Sequence, residues 1–171
     1  SRIVTCHLGN GCSITAVKDG KSFKTSMGFT PLAGTVMGTR CGNIDPAIIA
    51  YLCEKLNVTA AEMSIIMNKK SGLLGVSGVS GDMRDVKAAA EEGNKRAQLA
   101  IEIFENRVVD YIGQYTFELG HVDAIAFTAG IGENSDFVRH DILAKIAEAT
   151  GIVIDEDANK NGKGERLITK P

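Results

Sequence analysis

The sequence predicts an α/β domain: three short antiparallel strands, a helical excursion over about residues 45–93, one long helix, and a final strand parallel to the first. Three observations carry this. Residues 2–25 alternate apolar and polar side chains between the bends Gly9-Asn10-Gly11 and Asp19-Gly20. Residues 95–119 place Ala97, Ile101, Phe104, Val108, Ile112, Tyr115 and Leu119 at helical spacing. Residues 122–128 form a nearly all-apolar run, the pattern of a strand buried on both faces.

Taken in order, residues 3–8 and 13–17 read as a strand pair, with Gly9-Asn10-Gly11 between them able to take positive φ at little cost. Asp19-Gly20 is a two-residue hairpin signal leading into a third strand over residues 21–25. Residues 27–44 are irregular and rich in glycine and threonine, a loop long enough to suggest function. Asp45-Pro46 supplies an N-cap and a first-turn proline, and Ile48, Ile49, Leu52 and Leu56 continue a helix. Thr59 and Glu62 have capping-box spacing and open a second helix toward Met67. Residues 71–81 read as a second flexible loop, and Asp82 starts a short helix ending near Gly93. The helix over residues 95–119 is about 37 Å long at ~1.5 Å per residue, with Gly120 as its stop. Ser135 caps a helix running to about Ala149; residues 152–154 suggest one more strand, and residues 155–164 a loose polar tail.

With 171 residues, 44% hydrophobic and 23% charged, the chain has the size and balance of one globular domain. The 19 basic and 21 acidic residues leave a formal charge of −2, no field for a nucleic-acid backbone. No apolar run approaches the ~20 residues that cross a bilayer, and no charged-then-apolar leader opens the chain. Cys6, Cys12, Cys41 and Cys53 form no CxxC pair and no zinc spacing, so they read as packed, reduced thiols of a cytosolic protein. Cys12 and Cys41, inside glycine-rich segments, are also candidates for a place near a ligand. DNA-binding, membrane-spanning and secreted disulfide-scaffold classes are thereby disfavoured. Both ends read as interior to a larger polypeptide: the chain opens directly on Arg2-Ile3-Val4-Thr5 and stops at Thr169-Lys170-Pro171 without a closing helix.

Candidate chemistry gathers at glycine-rich turns. His7-Leu8-Gly9-Asn10-Gly11 exposes backbone N–H groups that suit anionic oxygen, and Gly130, Ile131, Gly132, Glu133 and Asn134 follow a strand and precede a helix. The competing reading of each is a turn that needs glycine for geometry; neither matches the P-loop pattern. Arg40, flanked by Gly38 and Gly42, can stabilise charge on a transferring phosphoryl group, or be a surface arginine or a partner of Asp45. His7 can donate to a phosphoryl oxygen or simply end a strand. Asp82 reads as a cap, and His121 and His140 as boundary and surface residues.

The segments Val4-Thr5-Cys6-His7-Leu8-Gly9-Asn10-Gly11, Thr25-Ser26-Met27-Gly28-Phe29-Thr30-Pro31-Leu32, Met37-Gly38-Thr39-Arg40, Asn68-Lys69-Lys70-Ser71-Gly72, Asp82-Met83-Arg84-Asp85 and Phe127-Thr128-Ala129-Gly130-Ile131-Gly132-Glu133-Asn134-Ser135 together resemble the acetate kinase family in order and spacing. The resemblance covers nearly the whole chain and is to the family's C-terminal portion. It implies an actin-like (ribonuclease H-like) ATPase fold of the sugar kinase, Hsp70 and actin superfamily. It also implies that residues 1–171 are the nucleotide-binding half of a two-domain kinase, cut at both ends.

By the same resemblance His7, Leu8, Gly9, Asn10 and Gly11 match a phosphate-binding hairpin, and Asp82, Met83 and Arg84 a segment near the adenosine. Gly130, Ile131, Gly132, Glu133 and Asn134 match a second adenine-ribose and phosphate loop, Arg40 an active-site arginine, and Pro31 a residue of the acyl pocket. The implied reaction is reversible phosphoryl transfer from ATP to acetate, giving ADP and acetyl phosphate. Mg2+ ligands are implied to lie outside this chain, in an absent N-terminal domain and just past the C-terminal residue. A cytoplasmic homodimer is implied, with the chain alone inactive. A propionate or butyrate kinase is the near alternative. A non-metabolic actin/Hsp70-like ATPase and a plain helical assembly module are the distant ones.

Overall fold

The computed structural model describes residues 1–170. A mixed four-stranded sheet in the order β3-β2-β1-β4 is built from β1 (Arg2–Leu8), β2 (Cys12–Lys18), β3 (Lys21–Thr25) and β4 (Ala124–Thr128). β1 pairs antiparallel with β2 and parallel with β4, where His7 stands opposite Thr128. The β2–β3 turn uses positive φ at both Asp19 and Gly20, the hairpin geometry their sequence predicts. Alternation is strict: Val4, Cys6, Leu8, Cys12, Ile14 and Ala16 are buried on one face, while Thr5, His7, Ser13 and Thr15 point to the other.

Against the apolar face lies α5 (Lys95–Leu119), which packs on both β1 and β2 and buries Phe104, Val108, Ile112, Tyr115 and Leu119. Asn94 caps its start through the backbone N–H groups of Arg96 and Ala97, and Gly120 ends it at φ 82°. The predicted excursion holds α1 (Ala47–Leu56), α2 (Ala60–Lys69), α3 (Gly72–Ser77) and α4 (Met83–Glu91). The Thr59–Glu62 capping box forms reciprocally at 2.8 and 3.2 Å, and the Asp45 carboxylate accepts from Ala47 N–H. β4 feeds α6 (Ala129–Asn134), α7 (Asp136–Thr150) and α8 (Glu156–Asn161). Among the described residues no helix is long and apolar enough to cross a membrane.

Several expectations need correction. Residues 71–81 are not a flexible loop: Gly72 to Ser77 form α3, whose Leu73 and Leu74 N–H groups bond to Met37 and Gly38 carbonyls at 2.9 and 3.0 Å. Gly72, Gly75 and Gly81, which suggested mobility there, serve close backbone approach instead. β4 is not buried on both faces; it is half-buried to exposed because it stands at the sheet edge. Residues 152–154 make only an isolated bridge, Ile154 opposite Thr169. The polar tail contains α8, capped by Asp155 through Ala158 N–H and pinned by buried Asn159. Ser135 precedes α7 without capping it. All four cysteines are free; Cys6 and Cys12 are buried as expected, but Cys41 and Cys53 are half-buried.

Glu105 of α5 is buried beneath α7, with Oε2 3.6 Å from Lys145 Nζ and Oε1 without a partner. Burial, aided by the Asp141 carboxylate and opposed by Lys145, raises its pKa from 4.5 to about 7. The unfolded carboxyl therefore loses its proton near 4.5 while the folded one holds it to about 7, so stability falls as pH rises through that window and levels off above it. At pH 8, Glu105→Gln is expected to stabilise the fold by on the order of 2–3 kcal/mol. Denaturant midpoints at pH 5 and pH 8 check this, since most of the gain is lost at the lower pH.

Candidate functional site

The β1–β2 hairpin tip, the loop entering α4, and α6 meet at one end of the sheet. They enclose a hollow of about 540 Å³ lined by Gly9, Asn10, Gly81, Asp82, Met83, Arg84, Gly130, Ile131, Asn134 and Ser135. That size is in the range of small-molecule sites. Segments about 70 and 50 residues apart in sequence reach it because β1 and β4 are parallel neighbours whose carboxyl ends coincide.

At the tip, none of Gly9, Asn10 and Gly11 adopts positive φ, contrary to the sequence expectation. Glycine there relieves close approach instead, to backbone at Gly9 and to a guanidinium tip at Gly11. A Cβ on Gly9 would stand 3.2 Å from Gly11 O, and one on Gly11 would stand 3.2 Å from the Arg40 Nη1. Asn10 O accepts from Gly38 N–H at 3.1 Å, tying the hairpin to the Arg40 loop. A Cβ on Gly38 would overlap the Asn10 side chain and come 2.8 Å from Gly81 O, so three loops touch at this glycine.

Asp82 caps α4 through Arg84 N–H at 2.9 Å and grips the Arg84 guanidinium at 3.0 and 2.6 Å. These bonds hold the Asp82 carboxyl down at about 2. The pair is solvent-exposed on the rim, so it orients groups there without adding much stability.

On the far wall, α6 starts from Ala129 at φ 65°, a left-handed conformation that costs a non-glycine residue about 1–2 kcal/mol. Glu133 Oε1 accepts from Ala129 N–H at 3.2 Å, and Asn134 Nδ2 donates to Gly130 O at 2.9 Å. Gly130 has no protein atom within 4 Å of where a Cβ would sit, leaving its face open to the hollow.

Of the predicted nucleotide residues, Gly9, Asn10, Asp82, Met83, Arg84, Gly130, Ile131 and Asn134 line the hollow; His7, Leu8, Gly11, Gly132 and Glu133 do not. Leu8 is core, Gly132 is buried against Phe127, and Glu133 braces the start of α6. His7 is exposed on the open sheet face, its Nδ1 3.0 Å from Thr128 Oγ1.

Arg40 lies beside Gly11, outside the hollow's lining. Its Nη1 donates to Pro31 O at 3.3 Å and approaches Met37 Sδ at 3.6 Å; it pairs neither with Asp45 nor with any other carboxylate among the described residues. Pro31 and Arg40 are thus brought together. Cys12 is buried next to the tip, its Sγ donating to Gly9 O at 3.1 Å, and burial lifts its thiol to about 12. Cys41 donates to Gly42 O; neither sulfur lines the hollow.

Sequence reasoning missed Gly81 and Ser135, each flanking a predicted motif, and Ala129, whose backbone strain has no sequence signal. It also missed Arg139, which is buried behind α6. Among the described residues no group of three or more His, Cys, Asp or Glu side chains is placed to share a metal ion.

A family model described as the acetokinase family matches residues 1–171. An acetate kinase from Methanosarcina thermophila is 57% identical over 171 residues, covering 100% of this chain and 42% of that protein. The crystal structure of a Porphyromonas gingivalis acetate kinase superposes with a TM-score of 0.94 at 44% identity, covering 100% of this chain and 43% of that one. A propionate kinase from Francisella tularensis superposes at 0.91 with 48% identity, covering 98% of this chain and 43% of that one. The chain spans less than half the length of each of these relatives.

Proposed function

The chain belongs to the acetokinase family, and from that premise we propose that it is the nucleotide-binding wall of a two-domain kinase that phosphorylates acetate from ATP. One observation carries the reading: the hairpin tip, the start of α4 and α6, far apart in sequence, converge on a single nucleotide-sized hollow with Arg40 directly behind the tip. The order of elements supports an actin-like half-fold, with α1 to α4 as its helical insertion.

Acetate brings its own nucleophile, since its carboxylate is ionised at neutral pH and needs no general base. One carboxylate oxygen forms a bond to the γ-phosphorus of ATP while the bond from that phosphorus to the ADP oxygen breaks. Catalysis then rests on alignment and charge neutralisation. The open face of Gly130 leaves room for the phosphates and ribose. Asp82, Met83 and Arg84 form the side facing the base. Arg40, with no carboxylate to neutralise it, is available to the transferring phosphoryl group. Its bond to Pro31 O links that charge to the acyl pocket. A cytoplasmic homodimer completes the proposal, supported by the exposed apolar Ile48, Tyr51 and Leu56 of α1.

A propionate-preferring enzyme is the second reading, because the Francisella tularensis propionate kinase superposes with a TM-score of 0.91 at 48% identity. A hydroxamate assay for acyl phosphate, run with each acid on the polypeptide that contains this chain, decides between them. No acyl phosphate from any acid overturns the kinase reading. Gly130→Val tests the hollow itself. The Cβ of the new side chain meets open space, so the fold is expected to survive while ADP affinity falls at least about tenfold, or ~1.4 kcal/mol. Unchanged ADP binding by calorimetry would remove α6 from the nucleotide site.

A further inference from the structure

Arg139 lies in α7 and is only 4% exposed, yet no carboxylate pairs with it among the described residues. A buried guanidinium is tolerated only when its donors are satisfied. Here backbone and amide oxygens satisfy four of its five N–H groups. Nη1 donates to Gly132 O at 2.9 Å and Glu133 O at 2.8 Å, Nε to Asn159 Oδ1 at 2.7 Å, and Nη2 to Asn159 O at 2.5 Å. Gly132 and Glu133 are at the C-terminal end of α6, where carbonyls lack helical partners. Asn159 of α8 in turn donates to Asp136 O at 3.0 Å, and Arg166 reaches Asn159 O at 3.3 Å.

α6 needs an outside brace. Its six residues are too few to hold a helix alone, and it begins at strained Ala129. It nonetheless carries Gly130, Ile131 and Asn134 into the hollow. We infer that Arg139, locked by Asn159, is a positioning residue that clamps the end of α6 and so sets the nucleotide wall without touching nucleotide. A lysine cannot replace it fully, because two adjacent carbonyls and an amide oxygen require the planar fork. The functional consequence rests on the nucleotide-site reading above; the clamp itself does not.

The test uses this chain with Arg139→Lys and Asn159→Ser, alongside the polypeptide that contains it. Expected are folded variants with at least about tenfold weaker ADP binding. In the longer polypeptide KM for ATP rises while KM for acetate stays within about twofold, a split that general loosening of the domain does not produce. Folded variants with unchanged ADP affinity overturn the inference. Failure of both variants to fold also overturns it, by assigning the pair to the whole domain. If the polypeptide that contains this chain binds no ADP, the nucleotide reading fails instead, and amide exchange decides the clamp. Selective acceleration at residues 130–134 in the variants upholds it, and unchanged exchange there sinks it.

Discussion

Arg40→Ala, made in the polypeptide that contains this chain, is expected to lower kcat for acyl phosphate formation by about a thousandfold or more while leaving the fold intact. An arginine that meets charge on a transferring phosphoryl group is worth roughly 10³–10⁵ in rate. The guanidinium here keeps that capacity. Among the described residues its only protein partners are one backbone carbonyl and a thioether sulfur, so its charge is not spent on an internal ion pair. The same sparse bonding predicts the mild structural effect. Pro31 O loses a 3.3 Å bond at a partly exposed position, where water can replace the donor. Arg40→Lys keeps the charge but loses the fork, and should recover only part of the rate. The hydroxamate assay with circular dichroism on both variants reads the outcome. A near-parental kcat for Arg40→Ala would remove this residue from the reaction.

What the sequence displays depends on how far each determinant reaches along the chain. Asp19-Gly20, the Thr59–Glu62 box and the α5 periodicity involve neighbours within a few residues, and each forms as read. The hydrophobic run of residues 122–128 correctly marks a strand, but its exposure is set by the edge position of β4, which no local pattern encodes. Glycine marked the right places for the wrong reason. At Gly9 and Gly11 it meets Gly11 O and the Arg40 side chain rather than providing positive φ, and only the packed structure distinguishes those uses. Of the site, motifs located eight of the ten lining residues. Arg139 was out of reach because its partners are mostly carbonyls, and carbonyls leave no mark in a sequence.

Gly72→Ala is expected to be strongly damaging although Gly72 lies outside the hollow. Gly72 sits at φ +64°, and a Cβ there would overlap Met37 O and stand 2.8 Å from Arg40 O. Both neighbours are backbone, so neither can swing aside as a side chain would. The segment they belong to also fixes Arg40, through Met37 N–H to Arg40 O at 3.1 Å and Ser71 N–H to Thr39 O at 2.9 Å. Two costs add: about 1–2 kcal/mol for the left-handed conformation and about 1–3 kcal/mol for the forced shift. Together they predict a Tm lower by roughly 4–20 °C for a chain of this size. Gly78→Ala separates the two costs, because Gly78 has φ +70° but nothing within 4 Å of its Cβ position; it should lower stability by the conformational part alone. The steric part also has a functional signature. In the longer polypeptide, Gly72→Ala should depress kcat more than ADP affinity, because the displaced backbone carries Arg40 while most of the nucleotide wall is built from other segments. Equal losses from the two substitutions in thermal unfolding would show that close approach at Gly72 contributes nothing, and that this loop does not hold Arg40 in place.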